Sequence, residues 1–540
     1  MRALNSFSPV SSDPLAPEVI ARILRWKRTC ERTHKTCGTN TDPALPSRVL
    51  DVSGLESLNE VVLVETNGRL GKYLALSHCW GGTSQFRTLR HNLEDRKKGF
   101  AVNNIPATFR DAIRLTRLLG FQYLWIDSLC IIQDDVADWE VESAKMGRLY
   151  RHAHITIAAS RAAADTEGFL GNRQVGRQTP IQVVHPLGKT AAFSIVTTTE
   201  TSGISDGPPP LDLRGWTFQE TYLSRRRLAF LSENTIWSCE HGGWDESLPD
   251  RSEIQRPVGG TRNLLYHEQN VLRRVEFTGK CTIRATEWFR IVEDYSGRKL
   301  TFDTDKFPAL SGIAQIAAGN RGFDDSYLAG LWKSQFSRGL CWRVECESVQ
   351  RPRRNIGPSW SWASVSGRVL YPELQGRNGG YLDGKTRHCT RVVSSGIRQM
   401  ESNQFGHIGK GAWVRLSTPP LFRFIPVEGP ASVNFKLAHE QISSELTVCT
   451  ASMDFHGESR DGLYGLFAYT TLSYWCGVVV RPVKDRDEEL SLGQEWKWPS
   501  DMPVFERVGY FEANYSWSQD EEVYDMTEAW NAPKVGIVLV

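Results

Sequence analysis

Several clusters of residues have types and spacings that could do chemistry. Ser77-His78-Cys79 lines up a hydroxyl, an imidazole and a thiol directly after the apolar run Tyr73–Leu76. Asp127-Ser128 follows a second apolar run, Tyr123–Ile126. If both runs are strands of an open parallel sheet, these groups meet outside the carboxyl ends, where such sheets bind ligands. An acid placed directly after a buried strand needs partners. Ser77 and Asp127 are therefore candidates for catalysis, and equally for capping the turns that follow. Glu220 is the sharpest single candidate. It shares a helical face with Trp216, four residues earlier. A carboxyl beside an apolar wall is a natural general acid or base, its pKa raised by burial. The plainer alternatives are an ion pair with Arg225 or Arg226, or an exposed glutamate. Trp216, His78 and Trp80 are the residues placed to contact a bound ligand or cofactor.

Other groupings point more weakly to function. Asp134, Asp135 and Asp138 could hold a cation, but read more simply as a capped loop-to-helix junction. Cys30-x3-His34-x2-Cys37 offers three zinc-type ligands without a local fourth. Its spacing continues the stripe Val19, Ile23 and Trp26, so the expectation is core packing with no metal. Cys79 and Cys130 read as small buried hydrophobes. There is no G-x-S-x-G elbow. Gly406-His-Ile-Gly-Lys410 falls short of a phosphate-binding loop, and no G-x-G-x-x-G follows an expected strand. No cofactor is expected.

These side chains need elements to position them. A helix is expected over 17–37, closed by Gly38. Strands are expected at Tyr73–Ser77, Tyr123–Asp127 and His154–Ala159, adjacent in one sheet. Between them lie helices carrying Phe109, Ala112, Ile113, Thr116 and Leu119, and then Trp139, Ser143, Met146 and Tyr150. Pro106 fits the first turn of the former and Asp138 the cap of the latter. A helix from near Gly215 follows, then strands at Arg227–Leu231 and Thr235–Cys239. This alternation predicts an α/β fold, a parallel sheet with helices on both faces. The expected organisation is an N-terminal helical segment (1–72), the α/β domain (73–240), a helical connector (241–345) and a β-rich C-terminal region (346–540).

Composition narrows the function classes. Lys plus Arg number 64 and Asp plus Glu 62, too balanced for a protein built to neutralise phosphates, so no nucleic-acid partner is expected. The basic run Arg351–Arg354 reads as a solvated loop. No continuous apolar segment resembles a signal peptide or a membrane span. The eleven cysteines are scattered and odd in number, as for reduced thiols of the cytoplasm.

Three segments, in order, resemble the signature of fungal heterokaryon incompatibility (HET) domains. They are Tyr73-Leu-Ala-Leu-Ser-His-Cys-Trp-Gly81, Leu124-Trp-Ile-Asp-Ser-Leu-Cys-Ile-Ile-Gln-Asp-Asp135 with Asp138, Trp139 and Met146, and Arg214-Gly-Trp-Thr-Phe-Gln-Glu220 with Leu223-Ser-Arg225. His78 stands where the family usually carries Tyr. Cys30, His34 and Cys37 resemble a short element ahead of many such domains, and Pro358-Ser-Trp-Ser-Trp-Ala363 is also similar to family segments. The resemblance implies self/non-self recognition and programmed cell death, with an incompatibility partner protein or a small-molecule ligand, and leaves self-association open. HET domains are remotely similar to TIR domains, many of which cleave NAD with a glutamate that follows a Trp at the spacing of Trp216 and Glu220. That likeness implies an NAD-hydrolysing alternative centred on Glu220. A third reading is a secondary-metabolism enzyme reusing the same pocket.

Overall fold

The structure, a computed structural model, describes residues 10–38, 42–54, 59–82, 86–173, 175, 177–184, 190–197, 208–248, 285–319, 325–345, 356–375, 387–400, 403–426, 434–439, 442–454, 462–470, 474–483, 502–514 and 533–540. The chain divides into two compact units, Met1–Gly279 and Lys280–Val540.

The first unit opens with α1 (Pro17–Thr33), β1 (Arg48–Asp51), β2 (Glu60–Glu65) and β3 (Tyr73–Ser77). Next come α2 (Leu93–Lys98), β4 (Phe100–Ala101), α3 (Ala107–Leu118), β5 (Tyr123–Trp125) and α4 (Asp127–Cys130). Then follow α5 (Val136–His152), β6 (Ile155–Ala158) and the hairpin of β7 (Arg177–Val184) and β8 (Thr190–Thr197). The unit closes with α6 (Gly215–Leu223), β9 (Arg226–Phe230), β10 (Thr235–Cys239) and β11 (Gly243–Asp245).

Nine of these strands form one sheet, in the order β11-β10-β9-β6-β3-β5-β1-β2-β4. The three strands expected from the sequence lie side by side. β3 runs parallel to β5, with Leu74 opposite Leu124, and parallel to β6, with Leu76 opposite Ile157. β9 adds a fourth parallel strand, Ile157 facing Leu228. All five residues of β3 and all four of β6 are buried, as a near-continuous apolar run demands. The sheet is nevertheless mixed, which corrects the expectation of a parallel one. β1, β2 and β4 extend one edge antiparallel, and β10 and β11 the other. On the β9 side the reason is connection length. β9 and β10 are joined across a tight turn in which Leu231 N–H donates to the Asn234 carbonyl at 2.9 Å. A parallel link would need a crossover of a dozen residues or more. The edge strands β1 and β2 come from the segment before residue 73, where only helix was expected.

Local signals placed most helices, with corrections at their ends. α3 buries Phe109, Ala112, Ile113 and Thr116, and Gly120 follows with φ of 80°. Pro106 is its N-cap and stands just before the first turn. α5 is capped by Asp135, whose carboxylate accepts from the N–H groups of Ala137 and Asp138. Asp138, expected in that role, instead pairs with Arg48 and accepts from Ile132 N–H at 2.8 Å. α1 stops at Thr33 rather than running to Cys37. His34 takes an extended conformation, and its N–H still reaches the Cys30 carbonyl at 3.3 Å. A turn then carries Cys37, so Gly38 does not close the helix.

The second unit holds helices Ala285–Ser296 and Pro308–Gly319 and a ten-stranded, mostly antiparallel sheet that makes the C-terminal region β-rich. Trp288 and Trp362 both donate their indole N–H to the Gly330 carbonyl. Gly330 has φ of 92°, and a Cβ there would sit 2.4 Å from the Trp362 nitrogen, so glycine is required. Gly406–Ile408 belongs to a hairpin with Gln399–Met400. Arg351–Arg354 lie outside the described residues.

A buried ion pair closes the first unit. Arg173 and Glu246 meet at 2.7 Å with side chains 1% exposed each. Glu246 also accepts from the N–H groups of Ser11 and Thr235, and Arg173 donates to the Ser11 carbonyl. Both charges are thus hydrogen-bonded as well as paired, which burial requires. Glu246→Ala leaves the guanidinium buried alone, and urea denaturation is expected to show a loss of about 3–5 kcal/mol. A loss below roughly 1 kcal/mol would mean that water reaches Arg173.

Candidate active site

Three parallel strands end along one edge, and the residues after them supply the polar groups. Ser77 closes β3, His78 follows it, and Asp127 opens α4 just past β5. Glu220 reaches the same place from α6. The first turn of α6 is secured by the Thr217 hydroxyl, bonded to the Leu211 carbonyl at 2.6 Å and the Arg214 carbonyl at 2.8 Å. Its last turn is tied to β6 through Ser224, whose hydroxyl bonds the Thr156 hydroxyl at 2.6 Å. Glu220 is therefore held inward, 4% exposed, at the carboxyl edge of the sheet.

Burial and the neighbouring Asp127 carboxylate raise the Glu220 pKa to about 7, while Ser77, Arg214 and Tyr150 pull it back down. Its Oε2 and the Ser77 hydroxyl each lack a hydrogen-bond partner among the described residues. The two groups lie against each other without an aligned hydrogen bond. Neither plainer alternative for Glu220 holds, since it is not exposed and its neighbouring arginines are engaged elsewhere. Arg225 lies 3.9 Å from Glu240, and Arg226 faces Cys30.

Asp127 both caps and faces the site. Its Oδ1 accepts from Ser128 N–H at 2.7 Å, and its Oδ2 accepts from the Trp80 indole at 2.9 Å. His78 Nδ1 stands 3.8 Å from Asp127 Oδ1, and its Nε2 has no partner among the described residues. Burial pushes the imidazole pKa down against the pull of Asp127, which keeps it neutral at pH 7. Phe109 holds the ring edge-on at 5.1 Å. Trp216 is half-buried and packs edge-on against Trp139 of α5 at 6.4 Å.

Two members were missed in the sequence reading. Tyr150 donates to the Leu76 carbonyl at 3.0 Å and lies beside Glu220, and burial carries its pKa well above the phenol range. Arg214 donates to the His78 carbonyl at 2.6 Å, and its charge acts on both Glu220 and Cys79. Tyr150 was legible as an inward position of its helix and Arg214 as the residue opening the third motif. Their shared destination was not legible. Ser160, two residues past β6, accepts from Arg227 at 3.2 Å. Cys79 and Cys130 are buried thiols with raised pKa values, that of Cys130 about 12. Asp134 accepts from Arg90 N–H, and with the capping role of Asp135 and the Arg48 pairing of Asp138 the acidic cluster is a braced junction.

The arrangement suits proton transfer. One carboxyl is buried and titrates near neutrality, while the other is 17% exposed and hydrogen-bonded. Environments that differ in this way separate the acid and base roles of two carboxyls. Titration of Glu220 also acts on stability. Its folded pKa of about 7 exceeds the ordinary 4.5, so the folded state holds the proton more tightly. Its contribution is full below pH 4.5 and is lost as pH rises through about 7. Glu220→Gln is expected to gain up to roughly 3 kcal/mol relative to wild type between pH 4 and pH 8 in urea melts. Parallel stability curves would show an ordinary carboxyl.

Residues 73–220 match the family described as Heterokaryon incompatibility protein (HET). No curated protein and no solved structure matches the chain. The matched segment starts at the first residue of β3, ends at Glu220 and contains Ser77, Asp127, Tyr150 and Arg214. The chain therefore carries a HET domain across residues 73–220.

Proposed function

We propose that this protein serves heterokaryon incompatibility in a fungus, recognising a non-self partner and triggering cell death through hydrolysis at the carboxyl edge of its HET domain. The observation that carries the reading is the buried Glu220 carboxyl, with one oxygen unpartnered among the described residues and a pKa of about 7, set among Asp127, Ser77 and Tyr150. A structural glutamate gains nothing from that environment, whereas a general acid or base works best when its pKa lies near the operating pH. The substrate class is a dinucleotide of the NAD type, in line with the likeness of HET to TIR domains.

In this reaction water bonds to the ribose anomeric carbon as the bond to the nicotinamide nitrogen breaks. The bonding pair moves onto that nitrogen and neutralises its positive charge. The products are nicotinamide, ADP-ribose and a proton. Ionised Glu220 stabilises the positive charge that develops on the ribose and takes up the proton that the attacking water loses. Asp127 adds a second negative charge, oriented by the Trp80 indole.

Activity is expected to rise with pH through about 7 as Glu220 ionises. Glu220→Gln is expected to lower the rate by about 10²–10⁴-fold. The check is expression in a fungal host with cell viability, NAD level and nicotinamide release measured together. A folded Glu220→Gln protein that still kills and still depletes NAD sinks the carboxyl's role. Killing that depends on Glu220 but releases no nicotinamide overturns the substrate class and leaves incompatibility standing.

A further inference from the structure

Four buried side chains of the first unit, none of them placed in the Glu220 site, converge. Cys30 lies in the last turn of α1, His34 caps it, Cys37 sits in the following turn, and Cys239 ends β10. Their ligand atoms all lie within 4.8 Å of one another. Cys239 Sγ stands 3.4 Å from His34 Nδ1. We infer that these residues form a structural zinc site of Cys3His type, which clasps the helix ahead of the HET domain to a strand beyond it.

Donor chemistry comes first. Three sulfurs and one imidazole nitrogen are a soft set that selects Zn(II) over hard cations. A tetrahedral site with Zn–S of about 2.3 Å and Zn–N of about 2.0 Å places its ligands roughly 3.5–3.8 Å apart. The 3.4 Å approach of Cys239 and His34 is already of that order. All four positions are filled by protein, the arrangement of a structural rather than a catalytic zinc.

The surroundings fit the charge of such a site. Three thiolates, a neutral histidine and Zn(II) sum to a net charge of about −1, which a dry interior must offset. Arg226 is buried and points its Nε at Cys30 Sγ from 3.4 Å, while another of its nitrogens donates to the Cys37 carbonyl. A guanidinium aimed at sulfur matches a thiolate far better than a neutral thiol. The His34 ring is oriented by stacking on His241 at 4.2 Å and on Trp244 at 5.6 Å.

Plain core packing explains the burial but not this convergence. A stripe of small hydrophobes needs no imidazole nitrogen turned onto a sulfur. Nor are the thiols bridged, since Cys30, Cys37 and Cys239 are all free. The early end of α1 also finds a reason. An uninterrupted helix would carry Cys37 onward along its axis, whereas the turn brings it back beside Cys30. The missing fourth ligand lies 205 residues from His34, out of reach of any local motif. Binding metal there adds its free energy to folding.

The test uses the full chain, purified under reducing conditions without a metal-binding tag. Metal analysis is expected to find about one zinc per chain, lost in Cys239→Ser and His34→Ala and kept in Cys389→Ser. Because a ligand variant can fail to fold, the wild-type protein is also measured alone. Replacement by Co(II) is expected to give the intense absorption of a tetrahedral thiolate site. Thiol alkylation of Cys30, Cys37 and Cys239 is expected only after a strong chelator is added, together with a fall in melting temperature. A folded wild-type protein that holds no zinc and takes up none on reconstitution overturns the inference. A disulfide among these three cysteines in the reduced preparation overturns it equally.

Discussion

The first unit depends on the double-sided burial of β3. A strand apolar on both faces must lie in the middle of a covered sheet, and its parallel neighbours must return by crossovers. Three successive crossovers bring β5, β6 and β9 alongside in the same direction. Their carboxyl ends then share one edge by geometry alone. Ser77 and His78 meet Asp127 because the core aligns the ends of β3 and β5, not because the two segments are close in sequence. α6 crosses the same edge and adds Glu220.

That placement sets a tension that the site does not relieve. A carboxyl under an apolar sheet edge loses its hydration, and a second carboxylate stands close by. Arg214 offsets part of this, but it is also committed to the His78 carbonyl. The Ser77 hydroxyl lies beside the acid without an aligned partner among the described residues. Buried polar atoms without partners carry a free-energy cost, and they persist where something other than stability selects them. The structural acids of the same unit behave differently. Glu246 meets Arg173 and two backbone donors, and Asp138 meets Arg48 and the Ile132 N–H. Those two acids are fully engaged, whereas Glu220, the residue proposed to act, keeps one oxygen without a partner among the described residues.

The sheet margins are built on another principle. Short connections give the antiparallel pairs β1–β2, β9–β10 and β10–β11, whereas β4 joins β2 and β1 joins β5 antiparallel from distant parts of the chain. Long-range polar contacts then tie the chain ahead of β3 to the strands after α6. The Arg173–Glu246 pair reaches Ser11, and the turn after α1 meets Cys239. Segments outside 73–220 thereby complete the sheet in which the HET core sits.

Local chemistry was enough to place the central elements. Apolar runs marked β3, β5 and β6, and amphipathic spacing marked α3 and α5, because burial on one or two faces leaves a periodic trace in the chain. The Trp216–Glu220 pair was legible for the same reason. Helix ends were less so, since Asp135 and Asp138 are equally good caps by type and only the Arg48 pairing decides between them. The meeting of Ser77 and His78 with Asp127 followed from the expected strand order, but most other meetings of residues far apart in the chain lay beyond the sequence. Tyr150 and Arg214 at the Glu220 carboxyl, Arg225 drawn away to Glu240, and Cys239 beside the Cys30–His34–Cys37 turn all depend on the order of strands in the sheet. A residue's type and periodicity state whether it will be buried, while only the packed sheet determines what it is buried against.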